Sequence, residues 1–471
     1  MYYCLDKSCV LRGWDKLPTG IVKRMSGQVV IVDPALYGKI LNSPWVLFEG
    51  SPLLTDQEIT VLDNLTEQGM MALSDSPAPL SPEQEYRRHQ NRYLHAAHWA
   101  ITGRCNCRCR HCYMSAPSGN IGEYAIEECL DIIGQMREAG LQEASLTGGE
   151  PLLHRDFMRI LEELTDAGIR IGTIMSNGLL VDEELLGDLE RLNQRPEFNM
   201  SFDGVGWHDW LRNTDGAEGA VIRAFRICHE HGFPTGSEYC LHRGNVDVLA
   251  ESIRLLASVG CTSVKVNGLS DEGEAAGIQE YILSPEEEYQ VYLDYLPAFL
   301  DDGLPVDLML SGMFQNQGMR CSIPWAKMPE DKDCGNYCLC GHARNMMHIT
   351  ADGYIVPCIP MGSVECGKTH FPNLGDMTIA EALSDSTYMA FIDTRLTDYF
   401  SANPACEACE YRNRCAGGCR GNAAYTGDLM APDPKACRFF KDGWYEKTRR
   451  LVEEYVHRTQ GNRTSCDDQE S

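Results

Sequence analysis

The sequence predicts an α/β protein organised around a parallel sheet. Two observations carry this. From residue 93 to about 267, short apolar strands alternate with segments of helical hydrophobic period, the pattern of strands joined by crossover helices. Cysteines gather in two zones, 105–112 and 334–437, so the sheet carries chemistry at two places.

The elements follow in chain order. Residues 1–73 read as a small separate α+β unit: 28–32 is a strand, and Thr55-Asp56-Gln57-Glu58 is a capping box opening a helix with Ile59, Leu62 and Leu65 on one face. Residues 74–92, beginning Ser74-Asp75-Ser76-Pro77, read as a linker. Strands are expected at 97–103, 143–147, 170–175, 197–202, 235–241 and 262–267, with helices at about 123–139, 155–167, 182–192, 217–231 and 247–258 between them. The first of these helices places Ile126, Leu130, Ile133 and Met136 at helical spacing and ends at Gly140. Residues 268–333 form a bridging region in which Ser284-Pro285-Glu286-Glu287 starts a helix. The cysteine-rich region runs over 334–440, and a helix at about 440–459 with a polar tail completes 441–471. No internal repeat interrupts this order.

Composition excludes several classes. Hydrophobic residues make up 43% of 471, ordinary for a globular chain. A net charge of −27 argues against a nucleic-acid partner, which needs clustered Lys and Arg. No basic-then-apolar start marks a signal peptide, and no apolar run is long enough for a membrane span. The 22 cysteines, about 5% of the chain, fall below the density of a disulfide scaffold and are expected to be reduced, in a cytoplasmic protein, with metal ligation preferred.

The first zone reads Arg104-Cys105-Asn106-Cys107-Arg108-Cys109-Arg110-His111-Cys112. Three thiolates at Cys105, Cys109 and Cys112 can hold three irons of a 4Fe–4S cube and leave the fourth open, whereas electron-transfer clusters usually have four cysteines. A zinc knuckle with His111 as fourth ligand is the competing reading. Downstream, Thr147-Gly148-Gly149-Glu150-Pro151 ends the second strand, so both motifs reach the carboxyl ends of the strands, where sites on parallel sheets lie. The second zone reads Cys340-x12-Gly353-x4-Cys358, then Cys406-x2-Cys409-x5-Cys415-x3-Cys419, then Cys437. A zinc ribbon is the alternative there.

These motifs resemble those of the radical S-adenosylmethionine (SAM) superfamily, and the second zone resembles the SPASM domain. The resemblance implies a partial (β/α)6 barrel. It also implies a SAM-binding 4Fe–4S cluster on Cys105, Cys109 and Cys112, with Gly148, Gly149 and Glu150 at the methionine amino group. Ser201 and Asp203, followed by His208, Asp209 and Arg212, look like the ribose and carboxylate region, and Asn177 is a weaker candidate beside a turn-forming Asn-Gly. Two auxiliary 4Fe–4S clusters are implied: one on Cys340, Cys358 and Cys419 with Cys334 as fourth ligand, one on Cys406, Cys409, Cys415 and Cys437. Cys338 and Cys366 compete with Cys334, and that site could instead stay open for a substrate thiolate. The other cysteines, Cys107 among them, read as structural thiols.

The implied reaction is formation of a 5′-deoxyadenosyl radical that abstracts hydrogen from a peptide side chain, as in maturases of ribosomally made peptides, installing a thioether or carbon–carbon crosslink. Many such maturases resemble one another in an N-terminal winged-helix-like element that takes up the precursor peptide, and 1–73 is similar in outline. An external one-electron donor such as flavodoxin or ferredoxin is implied as a second partner. Anaerobic sulfatase maturases are the alternative, but they carry Asp directly after the second SPASM cysteine, where this chain has Ile359. A non-catalytic multi-cluster electron carrier is the alternative of another class.

Overall fold

The computed structural model describes residues 1–15, 17–24, 28–42, 47–48, 50–116, 121–328 and 332–467, with the backbone alone for 42 and 458–467. The end of the polar tail, 468–471, lies outside the described residues.

The amino-terminal part contains strands β1 (Tyr2–Leu5), β2 (Cys9–Gly13), β3 (Gly20–Lys23) and β4 (Val29–Ile31), helices α1 (Pro34–Asn42) and α2 (Asp56–Glu67), then β5 (Met71–Ser74) and β6 (Arg87–Arg88). β1 pairs with β5, and a second sheet runs β4-β3-β2-β6. The Thr55–Glu58 capping box forms as expected, and Leu62 and Leu65 are the buried face of α2. They pack with Leu11, Ile21, Leu36 and Tyr37 in a core of their own. The segment read as a linker is tied into this unit: β6 pairs parallel with β2, and the buried Gln84 amide donates to the carbonyls of Leu5, Asp6 and Cys9. Its Pro- and Ser-rich start concealed those contacts.

The alternating region forms β7 (Ala96–Thr102), α3 (Ile126–Ala139), β8 (Glu143–Gly148), α4 (Phe157–Asp166), β9 (Arg170–Ser176), α5 (Glu183–Arg191), β10 (Glu197–Ser201), α6 (His208–Arg212), α7 (Ala217–Glu230), β11 (Thr235–Leu241), α8 (Leu249–Ser258) and β12 (Ser263–Gly268). Every strand lies within one residue of its expected ends. Gly140 closes α3 in the left-handed conformation at φ 81°, which only glycine adopts without strain. Residues 123–125 are not helical, because Glu123 bridges to Thr102 instead.

Beyond β12 come α9 (Pro285–Asp301), started by Ser284 as N-cap with Glu287, β13 (Asp307–Leu310), β14 (Phe314–Gln317) and β15 (Arg320–Ser322). The cysteine-rich region contributes β16 (Met346–Ile349) and β17 (Ile355–Val356). All join one mixed sheet in the order β15-β14-β13-β12-β11-β10-β9-β8-β7-β16-β17. β13 continues the parallel run beside β12, and β16 pairs parallel with β7 on the opposite side. The cysteine-rich region is therefore built onto the edge of the sheet beside the first cysteine loop. At the carboxyl end, helices Pro434–Lys441 and Trp444–Asp467 replace the single expected helix; Gly443 at φ 78° breaks the run.

Phe198 and Met200 of β10, Tyr239 and Leu241 of β11, and Val264 and Val266 of β12 are buried in the main core with the helices. The alternate residues Asn199, Ser201, Glu238, Lys265 and Asn267 are partly or fully reached by solvent. A parallel sheet normally hides both faces. Here, over β10 to β12, one face carries polar residues that solvent partly reaches.

Candidate active site

The first cysteine loop leaves β7 and is fixed at its root by the glycine motif. Gly149 N donates to Thr102 O at 2.8 Å, and Glu150 N to Arg104 O at 2.8 Å. A Cβ on Gly148 would lie 2.2 Å from Thr102 O and one on Gly149 2.2 Å from Arg104 O, so both positions require glycine for backbone to lie against backbone. Asn177, at the end of β9, donates to Asn106 Oδ1 at 2.7 Å and lies 3.9 Å from Cys105 Sγ. The weak candidate is thus in contact with the loop. Glu150 is fully buried and accepts from Leu152 N, Ser176 Oγ and Asn177 N. A carboxylate has about four lone-pair sites, and these donors take three of them. Burial pushes the Glu150 carboxyl up to about 7 against these donors.

The thiols of Cys105, Cys109 and Cys112 sense one another electrostatically. Cys109 is held down to about 6, first by the Cys107 thiol donating to it and then by the Arg212 guanidinium. Cys107, assigned only a structural role, is buried between two of the loop's thiols. Burial pushes Cys112 up. Burial, with the Arg212 guanidinium adding to it, lowers His111 to about 3.

Asp203, expected at the cofactor, is fully buried and its carboxylate is engaged by neighbours within the chain. Arg212 Nε and Nη2 donate to its two oxygens at 2.7 and 3.1 Å, Cys240 N donates at 3.1 Å, and His208 Nδ1 lies 3.0 Å from Oδ2. Burial alone would raise its carboxyl; Arg212 and His208 outweigh that and hold it well below the usual carboxylate range. The pair aims Arg212 Nη1 at Cys109 Sγ, 3.8 Å away. Asp209 turns away, accepting from Gly216 N and Glu218 N. Ser201 stays on the partly exposed polar face.

In the second zone, Cys340, Cys358 and Cys419 are mutual neighbours: burial pushes Cys358 up, and the other two thiols push it further. Cys334 is buried among Leu339, Tyr399 and Phe400, its thiol 3.4 Å from Asn413 Oδ1. Cys338 turns to Arg344 and Arg395, at 3.0 and 2.9 Å. Cys406, Cys409, Cys415 and Cys437 all line one cavity of about 110 Å³. Among the described residues no three His, Cys, Asp or Glu side chains converge on a point that would hold a single metal ion. The four thiols share one cavity, a donor set of the type that iron–sulfur clusters and zinc both use. Asp433 stitches the two sets together, accepting from Cys419 N at 2.7 Å while capping the helix that carries Cys437. Sequence reasoning missed Asp433, Tyr399 and Arg420 here; only the unbroken Gly417-Gly418-Cys419-Arg420 run hinted at a packed turn.

Residues 99–267 match the family model of the radical SAM superfamily, and residues 338–410 match that of the SPASM iron–sulfur cluster-binding domain. The chain belongs to the radical SAM superfamily and is one of its SPASM-bearing enzymes. The family brings a 4Fe–4S cluster and SAM, and the SPASM domain brings auxiliary iron–sulfur ligation, both consistent with the thiol sets above. The PqqA peptide cyclase of Granulibacter bethesdensis is 25% identical over 346 residues, spanning 72% of this chain and 85% of its own. The AdoMet-dependent heme synthase of Methanosarcina barkeri is 23% identical over 353 residues, spanning 71% and 94%. Streptococcus suis SuiB bound to precursor peptide SuiA shares the fold with a TM-score of 0.61 at 13% identity, over 93% of this chain and 100% of SuiB. No helix among the described residues is long and apolar enough to cross a membrane.

Proposed function

We propose that this enzyme modifies a ribosomally synthesised precursor peptide, forming a thioether or carbon–carbon crosslink after hydrogen abstraction from a side chain. The observation that carries the reading is the extent of the likeness to SuiB. It spans 93% of the chain, which must take in much of the amino-terminal unit, and SuiB is the protein whose structure contains a precursor peptide. In this reading the sheet curls into a partial (β/α)6 barrel with its polar face inward. Residues 1–73 act as a winged-helix-like recognition unit, and 334–440 hold two auxiliary 4Fe–4S clusters. The SAM-bearing cluster supplies the radical chemistry when bound.

The chain's own residues do the rest. Cys105, Cys109 and Cys112 hold the cluster on a loop clamped to β8 and β9. Glu150 keeps one lone-pair direction for the methionine ammonium, and Gly148 and Gly149 let the backbone come close. Asn199, Ser201, Glu238, Lys265 and Asn267 present polar groups to the peptide. An external one-electron donor of the flavodoxin or ferredoxin kind supplies the electron.

The test is anaerobic incubation of reconstituted enzyme with SAM, reductant and candidate short Cys-rich or aromatic-rich peptides from the gene's neighbourhood. The expected products are 5′-deoxyadenosine and a peptide lighter by two hydrogens. An unchanged peptide together with turnover of a porphyrin substrate would instead place the enzyme with the heme synthases it also resembles.

A further inference from the structure

Arg420 poses a charge problem. Its side chain is 1% exposed, yet among the described residues no carboxylate pairs with it. Nη1 donates to Leu429 O at 3.0 Å and Ala431 O at 2.7 Å, and Nη2 to Gly417 O. Nε is buried with no partner. Neutral carbonyls do not neutralise a buried guanidinium, and an uncompensated buried charge is strongly disfavoured. Asp433, which accepts from the neighbouring Cys419 N, is also taken by Lys435 N, Ala436 N and Asn422. The compensating charge must come from elsewhere.

The geometry around Arg420 shows where. The guanidinium carbon lies 4.9 Å from the centroid of the Tyr399 ring. Tyr399 is itself buried, and its hydroxyl lies 3.4 Å from Cys406 Sγ. Tyr399 and Cys406 both line the cavity with Cys409, Cys415 and Cys437. A cation over an aromatic face draws density from the ring, and that makes its hydroxyl a stronger donor. Hydrogen bonds to sulfur and net charge nearby are two of the levers that set an iron–sulfur potential.

We propose that Arg420 and Tyr399 form a tuning pair for the cluster held by Cys406, Cys409, Cys415 and Cys437. Arg420 is the internal counter-charge, and Tyr399 donates its O–H to the Cys406 thiolate. This rests on the reading that the cavity holds the second auxiliary cluster. Both groups favour the more negative, reduced state over the oxidised one, so they raise the midpoint potential and leave that cluster able to accept an electron. They are positioning residues and touch neither SAM nor substrate.

The test is an anaerobic redox titration followed by electron paramagnetic resonance on the fully reconstituted enzyme, with iron quantified in every sample. Cys437→Ala identifies the signal: it should remove one cluster's iron and one reduced-cluster spectrum. If it removes neither, the cavity holds no cluster, and both the assignment and this inference fail. With the signal identified, Tyr399→Phe should keep its iron and move that midpoint to more negative potential, while the other signals stay in place. Arg420→Met should move it further in the same direction, and Arg420→Lys should lie between Arg420→Met and wild type. If Arg420→Met does not assemble, Tyr399→Phe decides alone. A Tyr399→Phe midpoint coincident with wild type, at full iron content, overturns the pair while leaving the cluster assignment intact.

Discussion

Asp203→Asn isolates the buried pair behind the cysteine loop. The substitution keeps the side-chain volume and one carbonyl oxygen but removes the charge that Arg212 faces. Arg212 has only 11% of its side chain exposed, so its guanidinium would be left largely desolvated and without an anion. Breaking one partner of such a pair costs about 3–5 kcal/mol. The pH dependence has a definite sign. The folded carboxyl titrates below its unfolded value of 3.8, so its contribution is fully present above that value and is lost as pH falls below it. Urea unfolding of wild type and Asp203→Asn should therefore differ by several kcal/mol at neutral pH, with the gap beginning to narrow only as pH falls below about 4. Arg212→Gln combined with Asp203→Asn should cost less than the sum of the two, because no lone charge remains buried. A second readout follows from the 3.8 Å contact between Arg212 and Cys109: uncoupled SAM cleavage should fall in Asp203→Asn at full iron content. If Asp203→Asn is within about 1 kcal/mol of wild type at neutral pH, the pair carries no such energy and the reasoning is wrong.

Other outcomes follow from the same geometry. Replacing Cys105, Cys109 and Cys112 together by Ala should remove one cluster's iron and abolish formation of 5′-deoxyadenosine, whereas stoichiometric zinc in anaerobically purified wild type would refute the cluster reading. Gly149→Ala would press a methyl group onto Arg104 O at 2.2 Å and should cost about 1–3 kcal/mol by overpacking, with SAM cleavage falling alongside, read by calorimetry and product chromatography. In Glu150→Gln, the loss of stability that wild type suffers as pH rises from 4.5 through about 7 should disappear; the linked difference is on the order of 3 kcal/mol, and parallel pH profiles of urea midpoints would refute it. Cys415→Ala should lower stability and product formation more than uncoupled SAM cleavage, since ligated metal contributes folding energy. Deleting residues 1–80 should weaken use of the precursor peptide while sparing SAM cleavage, measured as KM for peptide against the uncoupled rate.

The regular elements were legible because their signals are local. Strand alternation from Ala96 to Gly268, the Thr55 and Ser284 caps and the Gly140 terminator each depend on a few adjacent residues. What the sequence hid is non-local. β16 joins β7 across some 250 residues, and nothing in Met346–Ile349 specifies a partner. The linker reading of 74–92 failed to anticipate Gln84, whose buried amide is invisible in a Pro- and Ser-rich context. At the site, spacing and close approach made the grouping of the loop thiols with Gly148 and Gly149 legible, because both depend on adjacent residues. Residue type predicted polar partners poorly. Asp203 sits in a motif that suggests a ligand contact, and nothing in that motif announces that Arg212, His208 and Cys240 N engage its carboxylate. Arg420 would ordinarily be placed on the surface.

The arrangement of the cysteine loop explains why so many of its partners lie outside the chemistry. Three thiols on one loop can face one cluster only if both arms of the loop are held. The near arm is pinned to the end of β8 through Gly149 N and Glu150 N, and its tip to the end of β9 through Asn177 and Asn106. The far arm is pinned to α6: Arg108 N and Arg110 N donate to the carbonyls of Arg212 and Leu211, and the Arg110 side chain bonds Trp210 O while covering its ring at 5.3 Å. The exit is closed by Glu274 N on Cys112 O. Four separate elements therefore set the positions of three sulfurs. A loop held this way loses little further entropy when its ligand binds, and it resists the small displacements that would misplace a reactive radical. Asp203 belongs to this scaffold: by fixing Arg212 it also fixes the end of α6 on which the far arm hangs, so one buried carboxylate supports both the charge beside Cys109 and the position of the Cys109 thiol itself.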